Sequence, residues 1–397
     1  MKLDTRAVHT GDRKRTGTWV PVTTPIHTAT SYFYDETSDL DQALGGTLAS
    51  PSYSRYGNPT NDALEELLAS LEGGAGALAC SSGMAALNLA LMAALVDRRR
   101  VVLAASALYG ATISMLTKVL EPSGIEVIFV DFADLEATAA AIAKNRPGVL
   151  LMETISNPLL RVAPLDRIAA MANEAGAQLV VDSTFSTPVI TRPLEFGANF
   201  VVHSLTKYLS GHGDVLGGVV VADEANLAPL RALAKSLGPL LGPFEAYLVM
   251  RGVKTFPLRM ERQCANACRI AGWLANHPAV AHVNFPADPK HPDAENIKRT
   301  FAPGLYGAMV SFEIGGAERE DIFRFMNALE MIVPATSLGD VQTMILYPLI
   351  SSHRDLSPKH RARLGIHDNL VRISLGIEAV EDIIADLDNA LKVFAAS

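Results

Sequence analysis

Through the middle of the chain, short apolar runs rich in β-branched residues alternate with longer Ala/Leu-rich segments of helical period. ALAC leads into SGMAALNLALMAAL, and RVVLAAS, IEVIFVD, GVLLMET, QLVVDST, NFVVHS and GGVVVAD are separated by stretches such as LDRIAAMANEAGA. Apolar runs with no polar alternation read as strands buried on both faces. Strands that alternate with helices need crossover connections, so residues 61–255 are predicted to form an α/β domain with a mainly parallel sheet.

Residues 1–60 are rich in Thr, Ser, Tyr, Gly and Pro and show little helical period, which predicts an extended arm that must lie against something else. A helix is then predicted in PTNDALEELLASLEGG. Leu64, Leu67, Leu68 and Leu71 share one face, Thr60 or Asn61 is placed to cap, and Gly73-Gly74 stops it. From about Phe256 amphipathic helices such as LRMERQCANACRIAGWLANHP mix with a few strand-like runs, GAMVSFEIGG and NLVRISLGI. That texture predicts a smaller α+β domain over residues 256–397.

Composition narrows the function classes. The 397 residues are 49% hydrophobic and 19% charged, with a net charge of −8. The basic runs Arg13-Lys14-Arg15 and Arg98-Arg99-Arg100 are short and lack interleaved aromatics, so no nucleic-acid partner is expected. No window reaches the roughly 18 uninterrupted apolar residues of a membrane span, and MKLDTRAVHTGDRKRTG lacks an apolar signal core. The three cysteines, Cys80, Cys264 and Cys268, fit a reducing cytoplasm, and the Cys264/Cys268 spacing has no second pair to make a metal site.

In open parallel sheets ligands bind beyond the carboxyl ends of the strands. The residues there are Ser82-Gly83-Met84, Tyr109-Gly110, Glu153 with Asn157, Asp182, and Ser204-x-Thr206-Lys207. Together they offer neutral donors, an aromatic face, a carboxylate and one amine, the parts needed to hold pyridoxal phosphate. Lysine forms a Schiff base with the aldehyde, a carboxylate keeps the ring nitrogen protonated, and an aromatic stacks on the ring. A glycine turn opening a helix, with Ser204 and Thr206, suits the phosphate. Taken singly, Asp182, Tyr109 and Ser82-Gly83 have ordinary readings as cap, loop and helix start. Lys207 does not, because burying an unpaired ammonium costs several kcal/mol.

Competing chemistry lacks its motifs. G-x-x-x-x-G-K-[ST], G-x-G-x-x-G after a strand, G-x-S-x-G and H-E-x-x-H are all absent.

The segments YSRYGNPT (53–60), SSGMAA (81–86), LYGAT (108–112), ETISNP (153–158), VVDSTFSTP (180–188), HSLTKYLSGHGD (203–214), RGVKTFPLRM (251–260), TSLGD (336–340) and LVRISLGIE (370–378) resemble a known family. It comprises the pyridoxal-phosphate enzymes of cysteine and methionine metabolism, with the aspartate-aminotransferase-like fold type I. The match runs from about Val20 to the C-terminus. It implies that Lys207 is the Schiff-base lysine, Asp182 the partner of the pyridine nitrogen, and Tyr109 the stacking ring and an acid/base. Gly83, Met84, Ser204 and Thr206 would bind phosphate. Tyr53 and Arg55 would reach the phosphate of a neighbouring subunit, which makes the expected assembly a homo-oligomer, a dimer of dimers. Arg372, aided by Asn157 and Ser337, would pair with the carboxylate of an amino-acid substrate.

Within the family the texture is closest to methionine and cystathionine γ-lyases, so γ-elimination is expected, with γ-replacement by an O-acylhomoserine sulfhydrylase or cystathionine γ-synthase as the alternative. Three positions bear on specificity. Thr336 stands where cystathionine-using members carry Glu, Ala111 where methionine γ-lyases carry Cys, and Tyr347 where a His commonly precedes the loop proline. Ser183 replaces the usual Asn after the aspartate. LSPKHRARLGI (356–366) resembles O-succinylhomoserine sulfhydrylases.

Overall fold

The computed structural model describes residues 1–15, 18–351, 354, 361 and 365–394. Most of LSPKHRARLGI therefore lies outside the described residues. Two sheets organise the chain. The first is seven-stranded: β1 Gly76–Cys80, β2 Val101–Ala105, β3 Glu126–Val130, β4 Val149–Glu153, β5 Gln178–Asp182, β6 Phe200–Ser204 and β7 Gly218–Ala222. Their order is β1-β7-β6-β5-β4-β2-β3, with β7 antiparallel to both neighbours and every other pairing parallel. This is the mainly parallel α/β sheet that the apolar runs predict.

Strands β2, β4, β6 and β7 are buried along nearly their whole length, because helices cover both faces. Gly83–Ala94, the helix expected from the Ala/Leu-rich run, packs on one face, and Pro59–Glu72 packs on the other through Leu64, Leu67, Leu68 and Leu71. Each such leucine contributes about 2 kcal/mol on full burial. This second helix starts earlier than Thr60 or Asn61. Asn58 is the cap, its side chain accepting from the Thr60 amide at 3.0 Å, and Pro59 takes the first helical position, where a missing N–H costs nothing.

The second sheet comprises β8 Val280–Asn284, β9 Met309–Ile314, β10 Val333–Pro334, β11 Met344–Leu346 and β12 Leu370–Ser374, in the order β10-β11-β12-β9-β8. The helix Phe256–Leu274 lies between the sheets, contributing Phe256, Met260 and Cys264 to one core and Ala267, Ile270, Ala271 and Leu274 to the other.

The first 60 residues are not wholly extended: they contain the helices Leu3–His9 and Thr37–Gly45. Helices this short are marginal alone, and the first is tied down by Ala7, fully buried against Pro59–Glu72. Among the described residues no helix is long and apolar enough to cross a membrane, and no group of three or more His, Cys, Asp or Glu is placed to hold a metal ion.

Candidate active site

β6 ends at Ser204 and the chain turns at once into Leu205–Leu209, a helical turn broken at Lys207 (φ −96°, ψ −137°). The Lys207 amine donates to Ser337 Oγ at 3.0 Å, so the loop before β11 closes over the end of β6. Burial, reinforced by the Arg372 charge, pushes this amine down to about 8.

The neighbouring strand ends converge on the same edge. Asp182 ends β5, where its Oδ1 accepts from the Thr184 amide at 3.0 Å. Burial raises its carboxyl, and the hydrogen bonds from Thr184 oppose the rise. In register beside it on β4 is Glu153, whose Oε1 accepts from the Tyr109 amide at 2.6 Å. Burial, with the Asp182 charge adding to it, raises Glu153 well above the ordinary carboxyl range. Tyr109 is 40% exposed at the start of the helix Gly110–Met115.

β1 leads through Ser81-Ser82 into the helix Gly83–Ala94, where the Ser82 hydroxyl accepts from the Ala85 amide at 3.1 Å. The amides of Gly83 and Met84, in the first turn, have no acceptor within their own helix. A Cβ on Gly83 would stand 3.0 Å from the Ser204 Cβ, so this helix start is pressed against the end of β6. Thr206 is committed locally: its hydroxyl accepts from the Gly217 amide at 3.0 Å and faces the Gly217 carbonyl at 3.3 Å.

The second sheet supplies Arg372, 3% exposed in β12, whose Nη1 donates to Asn157 Oδ1 at 2.9 Å. Its buried Nε has no hydrogen-bond partner among the described residues. Burial pulls the guanidinium down to about 10, which leaves it charged at neutral pH.

Other predicted positions fall differently. Tyr53 and Arg55 do not join this cluster within the chain. Arg55 donates to the Lys235 carbonyl and stacks over Tyr56 and Tyr53 at 4.9 and 5.5 Å. Ala111 is half-buried one residue into the Gly110–Met115 helix, and Thr336 is exposed beside Ser337. Tyr347 is a correction. It has no accessible surface, packs edge-on to Phe323 at 6.1 Å in the core of the second sheet, and donates to the Asp368 carbonyl at 2.5 Å. A side chain with no open surface cannot line a pocket, so Tyr347 belongs to the core. Ser183, also fully buried, joins a hydroxyl chain through Ser186 (2.7 Å) to Thr154 (2.8 Å).

Two residues were not singled out from sequence as site residues. Glu153 stood at a strand end, but its grip on Tyr109 joins positions 44 residues apart. Arg259 is 5% exposed in the helix Phe256–Leu274 and holds the turn after Lys207. Its buried helix face also carries Gln263 and Asn266, so no apolar stripe in the sequence marks Arg259 out.

A surface cavity of about 640 Å³, lined by Tyr56, Asp62, Glu65 and Arg231 among others, shares no residue with the cluster. Chemistry rather than volume therefore locates the site.

The donors fit pyridoxal phosphate: an amine lowered to about 8, a carboxylate at the adjacent strand end, an exposed ring, amides in a helix first turn and a buried guanidinium whose Nε has no partner among the described residues. The family described as Cys/Met metabolism PLP-dependent enzyme matches residues 4–392. The chain belongs to this family.

Its members depend on pyridoxal phosphate, and their fold is type I. The chain is 41% identical over 396 residues to a cystathionine gamma-lyase of Bacillus subtilis (strain 168), covering 99% of this chain and 100% of that protein. It is 40% identical over 391 residues to an L-methionine gamma-lyase of Porphyromonas gingivalis, covering 98% and 96%. A crystal structure of cystathionine gamma synthase from Xanthomonas oryzae pv. oryzae, in complex with aminoacrylate and cysteine, superposes with a TM-score of 0.93 at 36% identity. That match covers 100% of this chain and 99% of the other. Lyases and synthases thus both appear among the relatives, and a small amino acid is the class of substrate that fits them.

Proposed function

We propose that this protein is a PLP-dependent γ-lyase acting on a γ-substituted L-amino acid and releasing 2-oxobutyrate, ammonia and the γ-leaving group. The observation that carries the reading is the Lys207 amine, buried, lowered to about 8, and held 3.0 Å from Ser337 Oγ. An amine poised near neutrality both anchors the cofactor and moves protons. Arg372 and Asn157, joined at 2.9 Å, receive the substrate carboxylate with Ser337 beside them.

When bound, PLP supplies the electron sink that makes proton loss from Cα and then Cβ accessible. Lys207 would take them one at a time, giving up the first before it takes the second. Asp182 would hold the proton of the ring nitrogen, and Tyr109 would face the ring and handle protons at the substrate amine and the leaving group. Gly83, Met84, Ser204 and Thr206 receive the phosphate, Thr206 once its hydroxyl turns from Gly217. Tyr53 and Arg55, on the 1–60 arm, serve the phosphate of a neighbouring subunit in a dimer of dimers, ahead of a cofactor domain (61–255) and a C-terminal domain (256–397). Thr336 and Ala111 shape the choice of substrate. The γ-lyase relatives at 40% and 41% identity support elimination.

γ-Replacement is the second reading, favoured by the 0.93 superposition on a cystathionine gamma synthase. The test is to incubate the pure protein with methionine, homocysteine, cystathionine and O-acylhomoserines, with and without sulfide. The expected result is 2-oxobutyrate and ammonia without added thiol. Product only when thiol is present assigns the protein to replacement.

A further inference from the structure

The segment RGVKTFPLRM has no role in the chemistry above, yet its Arg259 makes the densest set of polar contacts around the lysine turn. Nη1 donates to the Tyr208 carbonyl at 2.8 Å, and Nη2 reaches the carbonyls of Leu209 at 3.1 Å, Ser210 at 3.4 Å and Gly252 at 2.9 Å. Nε donates to Thr255 Oγ1 at 3.3 Å. The guanidinium is buried, and its hydrogen bonds all go to neutral oxygens.

Its position follows from the backbone. The helical turn after β6 is broken at Lys207 and ends at Leu209, so the carbonyls of Tyr208 and Leu209 in that last turn and of Ser210 just past it have no helical amide to accept from. A planar fork of five donors is the side chain that satisfies several such carbonyls at once. Contacts around it leave little freedom. Gly211 adopts φ +70°, and a Cβ there would fall 1.8 Å from Nη1. The Val341 amide donates to the Gly211 carbonyl at 2.9 Å, and Gln263, four residues along from Arg259, donates to the Asp340 carbonyl at 2.7 Å. A Cβ on Gly339 would meet the Tyr208 amide nitrogen at 2.6 Å. The lysine turn, the Ser337–Asp340 loop and the Arg259 helix thus interlock.

We infer that Arg259 is a positioning residue: its guanidinium clamps the carbonyls after Lys207 and so sets where the Lys207 amine stands relative to Ser337. The inference rests on the reading of Lys207 as the cofactor anchor and goes further, naming what holds it. It predicts that loosening the clamp lets water reach the amine.

The experiment measures the titration of Lys207 in the apoprotein by pH-dependent acylation mapped to its peptide, with the exposed Lys118 and Lys144 as internal references. Arg259→Lys keeps the charge but not the fork, and Gly211→Ala displaces the guanidinium without removing it, which keeps the test open should the first variant fail to fold. In folded variants the amine is expected to titrate about one unit higher, and kcat is expected to fall about a hundredfold with KM little changed. Unfolding midpoints are measured alongside. A variant that loses thermal stability while Lys207 titrates as in the wild type would make Arg259 a merely structural residue and overturn the inference. The apoprotein readout is independent of substrate, so failure of the γ-lyase reading leaves it standing.

Discussion

Arg372 in β12 donates through Nη1 to Asn157 Oδ1 at 2.9 Å, a bond that joins the second sheet to the loop after β4. Its buried Nε has no hydrogen-bond partner among the described residues, and a substrate carboxylate is the acceptor that would complete the fork.

Arg372→Lys should therefore be a severe change. A lysine keeps the charge and loses the planar pair of donors, so about 3 kcal/mol of charge-assisted bonding is lost, roughly a hundredfold in kcat/KM. The loss should appear mainly in KM. Steady-state kinetics on the best substrate of the panel would check this, and an unchanged KM would remove Arg372 from carboxylate binding.

The Lys207 amine stands at about 8 rather than its ordinary 10.5 because burial and Arg372 disfavour its charge. The folded value is below the unfolded one. Between about 8 and 10.5 the unfolded chain therefore binds the proton that the folded protein has released, and apoprotein stability gains from this group as pH rises through that window. Cofactor capture needs the neutral amine. Its rate in the apoprotein should climb with a midpoint near 8, followed by absorbance under stopped flow. A midpoint near 10.5 would show a solvated amine and contradict the buried site.

Much of this site follows from the alternation of apolar runs, because a strand covered on both faces leaves its polar residues at its ends. That rule puts Lys207, Asp182, Ser82-Gly83-Met84 and Tyr109 at strand ends, and in the fold they sit at the ends of β6, β5, β1 and β2. What escaped it depends on contacts between distant segments. Tyr347 was placed by its neighbours in a loop motif, but tertiary packing turned it into the core beside Phe323. The role of Arg259 is not legible until the turn 49–51 residues before it is folded against it. The cap at Asn58 was misplaced because Pro59 could open the helix as well as break it.

Glu153 accepts from the Tyr109 amide at 2.6 Å, so Glu153→Ala should free Tyr109 and lower kcat by about ten- to a hundredfold. Glu153→Gln keeps an acceptor in the same place and should stay near wild type. The two differ from wild type in pH response too. Burial raises the Glu153 carboxyl in the folded state, so the folded protein holds a proton that the unfolded chain releases, and stability from this group falls as pH rises above the ordinary carboxyl range. The Gln variant lacks that proton. Denaturant unfolding at pH 5 and pH 8 should show Glu153→Gln gaining on wild type at the higher pH, and a gain at the lower pH would mean the carboxyl is ionised in the folded protein.

The last prediction concerns the far face of the same sheet. His203 Nε2 and Glu72 Oε2 lie 2.9 Å apart, with side chains 2% and 0% exposed, joining β6 to the end of the helix Pro59–Glu72. Burial raises the Glu72 carboxyl, and the His203 bond opposes the rise. Removing one partner from a buried pair leaves the other without compensation, so His203→Ala should cost about 3–5 kcal/mol. Glu72→Gln preserves shape and a hydrogen-bonding group and should cost about 1 kcal/mol. The double variant Glu72→Leu/His203→Leu removes both polar groups together. If the pair acts as a unit, the double variant should be more stable than His203→Ala, read as the urea midpoint. A double variant less stable than that single one would mean the two side chains stabilise the fold independently, each through its own packing.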